Sequence, residues 1–148
     1  MMCSCCVFGP VGGLGCLTNL IILELYEVCI TGHELEYVLS GSLALEELHL
    51  MDCSEIICLK IPFLLHRLSV LVVSECGNLE VIESKAPNLS SFVYSGVQAQ
   101  FSFEDSLQNL KIMASGWDEI VGYARTALPY MVPKLEALHI CTSFEVYS

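Results

Sequence analysis

Leu45-Glu46-Glu47-Leu48-His49-Leu50-Met51-Asp52-Cys53 returns in the same frame as Leu68-Ser69-Val70-Leu71-Val72-Val73-Ser74-Glu75-Cys76, and this pair of stretches decides the fold. Apolar or thiol side chains stand at offsets zero, three, five and eight in both copies, so the same four positions turn inward each time. The frame recurs more loosely from Leu20 (Leu23, Leu25, Val28), Leu89 (Phe92, Tyr94, Val97), Leu107 (Leu110, Ile112, Ser115) and Leu135 (Leu138, Ile140, Ser143). Successive starts lie 18 to 28 residues apart. A unit this short has a core face that it cannot bury alone, so stacked neighbours must cover it.

The spacing brackets the leucine-rich range of roughly 20–29 residues. It predicts an α/β leucine-rich-repeat solenoid over residues 17–148: a short curved parallel sheet of about six strands with an irregular or short-helical convex side. Cys53 and Cys76 fall in the turn after the strand, where Asn or Cys hydrogen-bonds or packs against the neighbouring turn. Thr31 with Glu34 three residues on reads as a capping box for a short helix through Leu35, Val38 and Leu39 to Ser40-Gly41. The stretches Ile56 to Pro62 and Leu79 to Glu83 are too short and too β-rich for helices, so short strands or turns are expected there. Pro62 and Pro87 interrupt the chain before the next inner strand. From Trp117 to Leu128 the side chains Ile120, Val121, Ala124 and Leu128 recur at helical spacing, predicting a helix that covers the sheet and ends at Pro129. Residues 1–16 are Cys- and Gly-rich without a period, and read as a leader or a truncated end.

Composition fits a packed body, because 54% of the 148 residues are apolar, too many for a disordered chain. No apolar run reaches the ~18 residues that span a bilayer. The stretch from Val7 to Leu14 lacks the basic flank of a secretory signal, and the expected location is cytoplasmic and/or nuclear. Six Lys plus Arg against 17 Asp plus Glu give a net charge of −11, which would repel nucleic-acid phosphate. The acidic N-terminal half, with Glu24, Glu27, Glu34, Glu36, Glu46, Glu47, Asp52 and Glu55, is either a solvated face or a means of steering a basic partner.

Nine cysteines, an odd count without an export signal, point to reduced thiols rather than a disulfide scaffold. Cys29, Cys53, Cys58, Cys76 and Cys141 lie in or beside strand patterns, where a buried Cys acts as a small apolar residue. Cys3, Cys5 and Cys6, with Cys16 further on, form the one ligand-like cluster, but C-x-C-C has no second pair to complete four ligands. Glycines 9, 12, 13 and 15 lack the strand before them and the Gly-Lys-Ser/Thr after them that a phosphate loop needs. No Gly-x-Ser-x-Gly elbow or His-Glu-x-x-His helix is present, so the chain reads as a non-enzyme with no cofactor and no metal. A metal held by Glu24, Glu47 and His49 across neighbouring strands is a weak reading, since exposed histidines on sheets are common. Asn88-Leu89-Ser90 fits a glycosylation acceptor, but Leu89 is an inward frame position.

The run from Leu43 to Leu50, then Cys53 to Pro62, resembles plant F-box/leucine-rich-repeat proteins, especially the large grass group. The likeness continues through Asn78-Leu79-Glu80-Val81-Ile82-Glu83-Ser84-Lys85-Ala86-Pro87-Asn88-Leu89-Ser90-Ser91-Phe92, then Tyr123-Ala124-Arg125 with Leu128-Pro129, and Val132-Pro133-Lys134-Leu135-Glu136. The resemblance implies the substrate-binding half of a ubiquitin-ligase adaptor, in which an F-box docks a Skp1-type subunit and the repeats hold a protein target. No F-box stands before the repeats here, so a Skp1-type partner is not expected from these residues. A repeat fragment of a plant nucleotide-binding disease-resistance receptor is the neighbouring reading, and a small Cys-based metal protein the more distant one.

In a solenoid, the exposed inner-curve positions follow from the frame. They are Ile22, Glu24, Tyr26; Glu47, His49, Met51; Val70, Val72, Ser74; Ser91, Val93, Ser95; Asn109, Lys111, Met113; and Ala137, His139, Cys141. Of these, Glu24, Tyr26, Glu47, His49, Met51, Val70, Val72, Val93, Lys111 and His139 are the candidate protein-binding residues. An apolar centre with polar flanks is what a protein-binding patch looks like, although β-branched residues also simply favour strands. A solenoid whose end units lack polar caps is also expected to self-associate.

Overall fold

A computed structural model describes residues 17–104 and 106–142. Nine strands and three short helices follow one another among them, each strand set by an alternation of inward and outward side chains. In chain order they are β1 (Ile22–Tyr26), α1 (Gly32–Ser40), β2 (Glu47–Met51), β3 (Cys58–Ile61), β4 (Val70–Ser74) and β5 (Val81–Ser84). After these come β6 (Ser91–Gly96), β7 (Gln100–Phe103), β8 (Asn109–Ala114), α2 (Ile120–Thr126), α3 (Leu128–Met131) and β9 (Ala137–Thr142).

Every strand pair is parallel, and the strands sort into two sheets, one of six in the order β1-β2-β4-β6-β8-β9 and one of three, β3-β5-β7. Each unit of the repeat therefore gives its first strand to the large sheet and, in the middle three units, its second to the small one. Between the sheets lies the core. Leu48 and Leu50 of β2, Leu71 and Val73 of β4, and Phe92 and Tyr94 of β6 are buried from the large sheet. From the small sheet come Leu59, Ile61, Ile82 and Phe101. Leu45, Leu68, Leu89 and Leu107 lead into the strands and are buried too, so offsets zero, three and five point inward as the frame requires. Burying each such side chain contributes about 2 kcal/mol, which only the presence of the next unit makes available.

The turns between units are held by side chains that repeat with the frame. Asn78 Nδ2 donates to the Ser54 carbonyl at 2.9 Å, and Asn88 Nδ2 to that of His66 at 2.7 Å. The Ser69 hydroxyl donates to the Glu46 carbonyl and the Ser90 hydroxyl to that of Ser69. The Cys53 thiol reaches the Leu25 carbonyl of the preceding unit at 3.6 Å, and Cys76 that of Leu50 at 3.9 Å. The two turn cysteines thus pack and bond between units, as expected, and both are free thiols. Cys58 is half-buried and free, whereas Cys141 is exposed and Cys29 is disulfide-bonded, so neither of these last two is the buried reduced thiol that the strand pattern suggested.

Helix α1 forms as the capping box predicts. The Thr31 hydroxyl accepts from the Glu34 N–H, and the Glu34 carboxylate accepts from that of Thr31. The helix docks closely on β3, since a Cβ on Gly32 would stand 2.3 Å from the Cys58 carbonyl oxygen. At the other end of the array the expected single helix is divided. It starts at Ile120, three residues after Trp117, and the chain passes through Pro129 into α3, whose first turn accommodates a proline because no N–H bond is lost there. Ile120 and Leu128 are buried beneath it, but Val121 is 59% exposed.

Two frame positions depart from expectation. Val97 was to point inward, and is 45% exposed. In its unit β6 runs on to Gly96, whose φ of +151° only glycine adopts readily, and the Tyr94 hydroxyl donates to the Val97 carbonyl at 2.5 Å. Leu138 is 41% exposed because β9 is the last strand of the sheet among the described residues. Around units four and five rings join the leucines in filling the inner volume. Phe92, Tyr94, Phe101, Phe103, Trp117 and Tyr123 form one cluster with centroids 4.8 to 6.3 Å apart.

Candidate functional site

The large sheet buries one face in the core and leaves the other open. On that open face the register lines up three rows of side chains. One row runs Ile22, Glu47, Val70, Ser91, Asn109 and Ala137. The next runs Glu24, His49, Val72, Val93, Lys111 and His139, and the third Tyr26, Met51, Ser74, Ser95, Met113 and Cys141. These are the residues that the frame assigned to the inner curve, brought onto one surface without a slip of register. On the four inner strands the rows are half-buried in the middle three units and exposed in the fifth.

Chemistry changes steadily along the rows. At the β1–β2 end stand Glu24 and Glu47, with the His49 Nε2 3.1 Å from the Glu47 carboxylate. In the centre Val70, Val72 and Val93 form a continuous apolar stripe, because Val70 and Val72 share β4 and Val72 pairs directly with Val93. At the β8–β9 end a shallow depression is lined by Ser91, Val93, Asn109, Lys111, Ala137 and His139, among others.

A further row was not anticipated. Immediately after β1, β2 and β4 come Glu27, Asp52 and Glu75, all three with positive φ of 54 to 56°. Each donates its N–H onward to the next strand, Glu27 to Met51, Asp52 to Ser74 and Glu75 to Ser95, so the left-handed turn is what carries the ladder one step past the strand. Their side chains are exposed along the lip of the open face, where the Ser95 hydroxyl donates to the Glu75 carboxylate at 2.7 Å. Asp and Glu are weak markers of a left-handed residue, so the pattern offered no signal beyond their equal offset from the preceding leucine.

The groups that titrate abnormally are not on this face. A hydrogen bond between the two turn cysteines raises Cys76 and lowers Cys53, and burial adds to the rise at Cys76, so one proton is held firmly on Cys76. Tyr94 is pushed up to about 12, first by burial and then by its proximity to Cys76 and Glu75. The two cysteines belong to the packed turns between units, and Tyr94 to the core beneath β6. Among the described residues no group of three or more His, Cys, Asp or Glu could hold a metal ion. The thiol cluster Cys3, Cys5, Cys6 and Cys16 lies outside the described residues. His33, His66 and His139 are exposed and stand apart from one another on different units.

A repeated parallel unit with leucines or other apolar side chains at its inward steps, a thiol in two of its turns and one long open sheet face is the architecture of leucine-rich repeats. The family model described as "At1g61320/AtMIF1, LRR domain" matches residues 1–148. The chain belongs to this leucine-rich-repeat domain family. No curated protein and no solved structure gives a match. Membership in the At1g61320/AtMIF1 LRR domain family carries the fold, an α/β solenoid with a six-stranded parallel sheet, and with it the role that such domains suggest, that of a protein-interaction module. In this member the module's open face is the surface built above, from Glu24 at one end to His139 at the other.

Proposed function

We propose that this domain is a non-catalytic recognition module that holds a target protein against the open face of its large sheet, and that it serves as the substrate-reading part of an F-box-type ubiquitin-ligase adaptor. The observation that carries the first half is the half-exposed stripe Val70, Val72 and Val93, aligned in register and flanked by polar residues on both sides. Three adjacent β-branched side chains on a wet sheet lose apolar area to a partner, and such patches with polar rims mark protein-binding surfaces. The second half rests on the resemblance of Asn78 to Leu89 and its companion stretches to F-box/leucine-rich-repeat proteins, and places the chain in the cytoplasm and/or nucleus beside the ligase.

The test is capture of partner proteins from cells by the wild-type chain, by V72D/V93D, and by a variant altered outside the rows of the open face, L64D between β3 and β4, whose leucine is already exposed. Partners lost with V72D/V93D and kept with L64D support the module. For the adaptor half, those partners should become longer-lived when the protein is depleted. Unchanged half-lives would remove the ligase reading and leave the module.

A further inference from the structure

From the charge order along the open face we infer the kind of segment it grips: one polypeptide stretch, basic at one end, apolar in its middle and acidic at the other, laid across the strands. This rests on the reading of that face as the docking surface and adds the chemistry of its occupant. Toward β1 and β2 the face and its lip present Glu24, Glu27, Glu47 and Asp52, and among the described residues His49 is the single positively ionisable side chain in contact with any of them. Toward β8 and β9 the sign reverses. Of the six Lys and Arg, Lys111 alone stands on this face, and among the described residues it has no carboxylate within ion-pair distance. The polar side chains lining the depression beside it, about 200 Å³, are Ser91, Asn109, Lys111 and His139, with no carboxylate among the described residues, although Glu136 precedes β9.

Lys111 thus stands without a carboxylate partner among the described residues, although the protein carries a net charge of −11. The opposite ends of the face therefore select opposite charges, and the stripe of Val70, Val72 and Val93 between them is matched by apolar side chains. Dimensions follow from the sheet. Glu24 and Lys111 sit in one row, on β1 and β8, with β2, β4 and β6 between them. At ~4.8 Å per strand this places them roughly 19 Å apart, a span of about six residues in an extended segment or about 13 in a helix.

The probe is a displayed library of random peptides of about 16 residues, long enough for either conformation, panned on the full chain. Enriched peptides should carry Lys or Arg and Asp or Glu on opposite sides of an apolar centre. Selection on E24K/E47K should abolish the basic preference and leave the acidic one, and selection on K111E should do the reverse. A peptide chosen on the wild type should bind each charge variant about tenfold more weakly, with circular dichroism unchanged. Peptides that need Val72 and Val93 but show no ordered charge, or that are uniformly basic and indifferent to K111E, overturn the inference while leaving the docking surface in place. Peptides equally well bound by V72D/V93D and by the milder V72T/V93T overturn the docking surface itself, as does a library without binders. Self-association that the charge variants abolish would assign the face to a second copy of this chain, and also overturns the inference.

Discussion

At the scale of single residues, position in the repeat decides what a side chain can do more than its type. The protein has thiols of every environment: Cys53 and Cys76 are buried in turns and bonded to one another's surroundings, Cys58 is half-buried, and Cys141 is exposed on the last strand. Thiolate attack needs access, so iodoacetamide should label Cys141 in the native protein at least an order of magnitude faster than Cys53 or Cys76, read by site-resolved mass spectrometry. Equal rates would mean that the turns are open. Tyr94 gives a pH dependence with a definite sign. Its folded value, about 12, lies above the ordinary 10, so the folded state favours the neutral phenol. The associated stability is whole below pH 10 and is lost as the pH climbs through about 12. Alkaline denaturation followed by circular dichroism should therefore show a steep fall in that window, shallower in Y94F, which at neutral pH loses only the bond to the Val97 carbonyl and about 1 kcal/mol.

At the scale of elements, the parts set by strict periods were legible and those set by tertiary compensation were not. The open-face rows could be read because a strand's period of two admits only one outward set once the leucines are inside. The start of α1 could be read from Thr31 and Glu34 alone, and its contribution is testable: T31A removes the acceptor for the Glu34 N–H and should cost about 1 kcal/mol in denaturant unfolding. A loss near zero would mean that docking on β3 holds the helix regardless. Strand β7 escaped notice because its buried and half-buried rings, Phe101 and Phe103, have no leucine frame around them and acquire their meaning only from Phe92 and Tyr94 across the core. The left-handed lip residues escaped for the opposite reason, being ordinary acids in an uncommon backbone conformation. Val97 misled because its unit replaces the turn thiol with a glycine turn one residue earlier.

At the scale of the whole molecule, stability is a sum over interfaces between neighbouring units, so the cost of a deletion depends on where it falls along the array. Leu71 is fully buried in the middle of the sheet, whereas Leu138, at the same frame offset, is 41% exposed on β9. L71A should destabilise by about 3 kcal/mol or more and L138A by less than about 1, measured by urea unfolding. Equal costs would mean that the units do not share one graded core. The same geometry produced the candidate site: no single unit contains it, and only stacking in register gives the face its acidic, apolar and basic sections. The lone Trp117 adds a consequence of its own. It is buried in the ring cluster beside Tyr94 and Tyr123, with its indole N–H lacking an acceptor among the described residues, so its fluorescence sees the fifth unit and nothing of the first. Every peptide bond contributes to far-ultraviolet ellipticity, but one indole watches one end. Where the two signals part company during denaturation, the order in which they fade says which end of the stack lets go first.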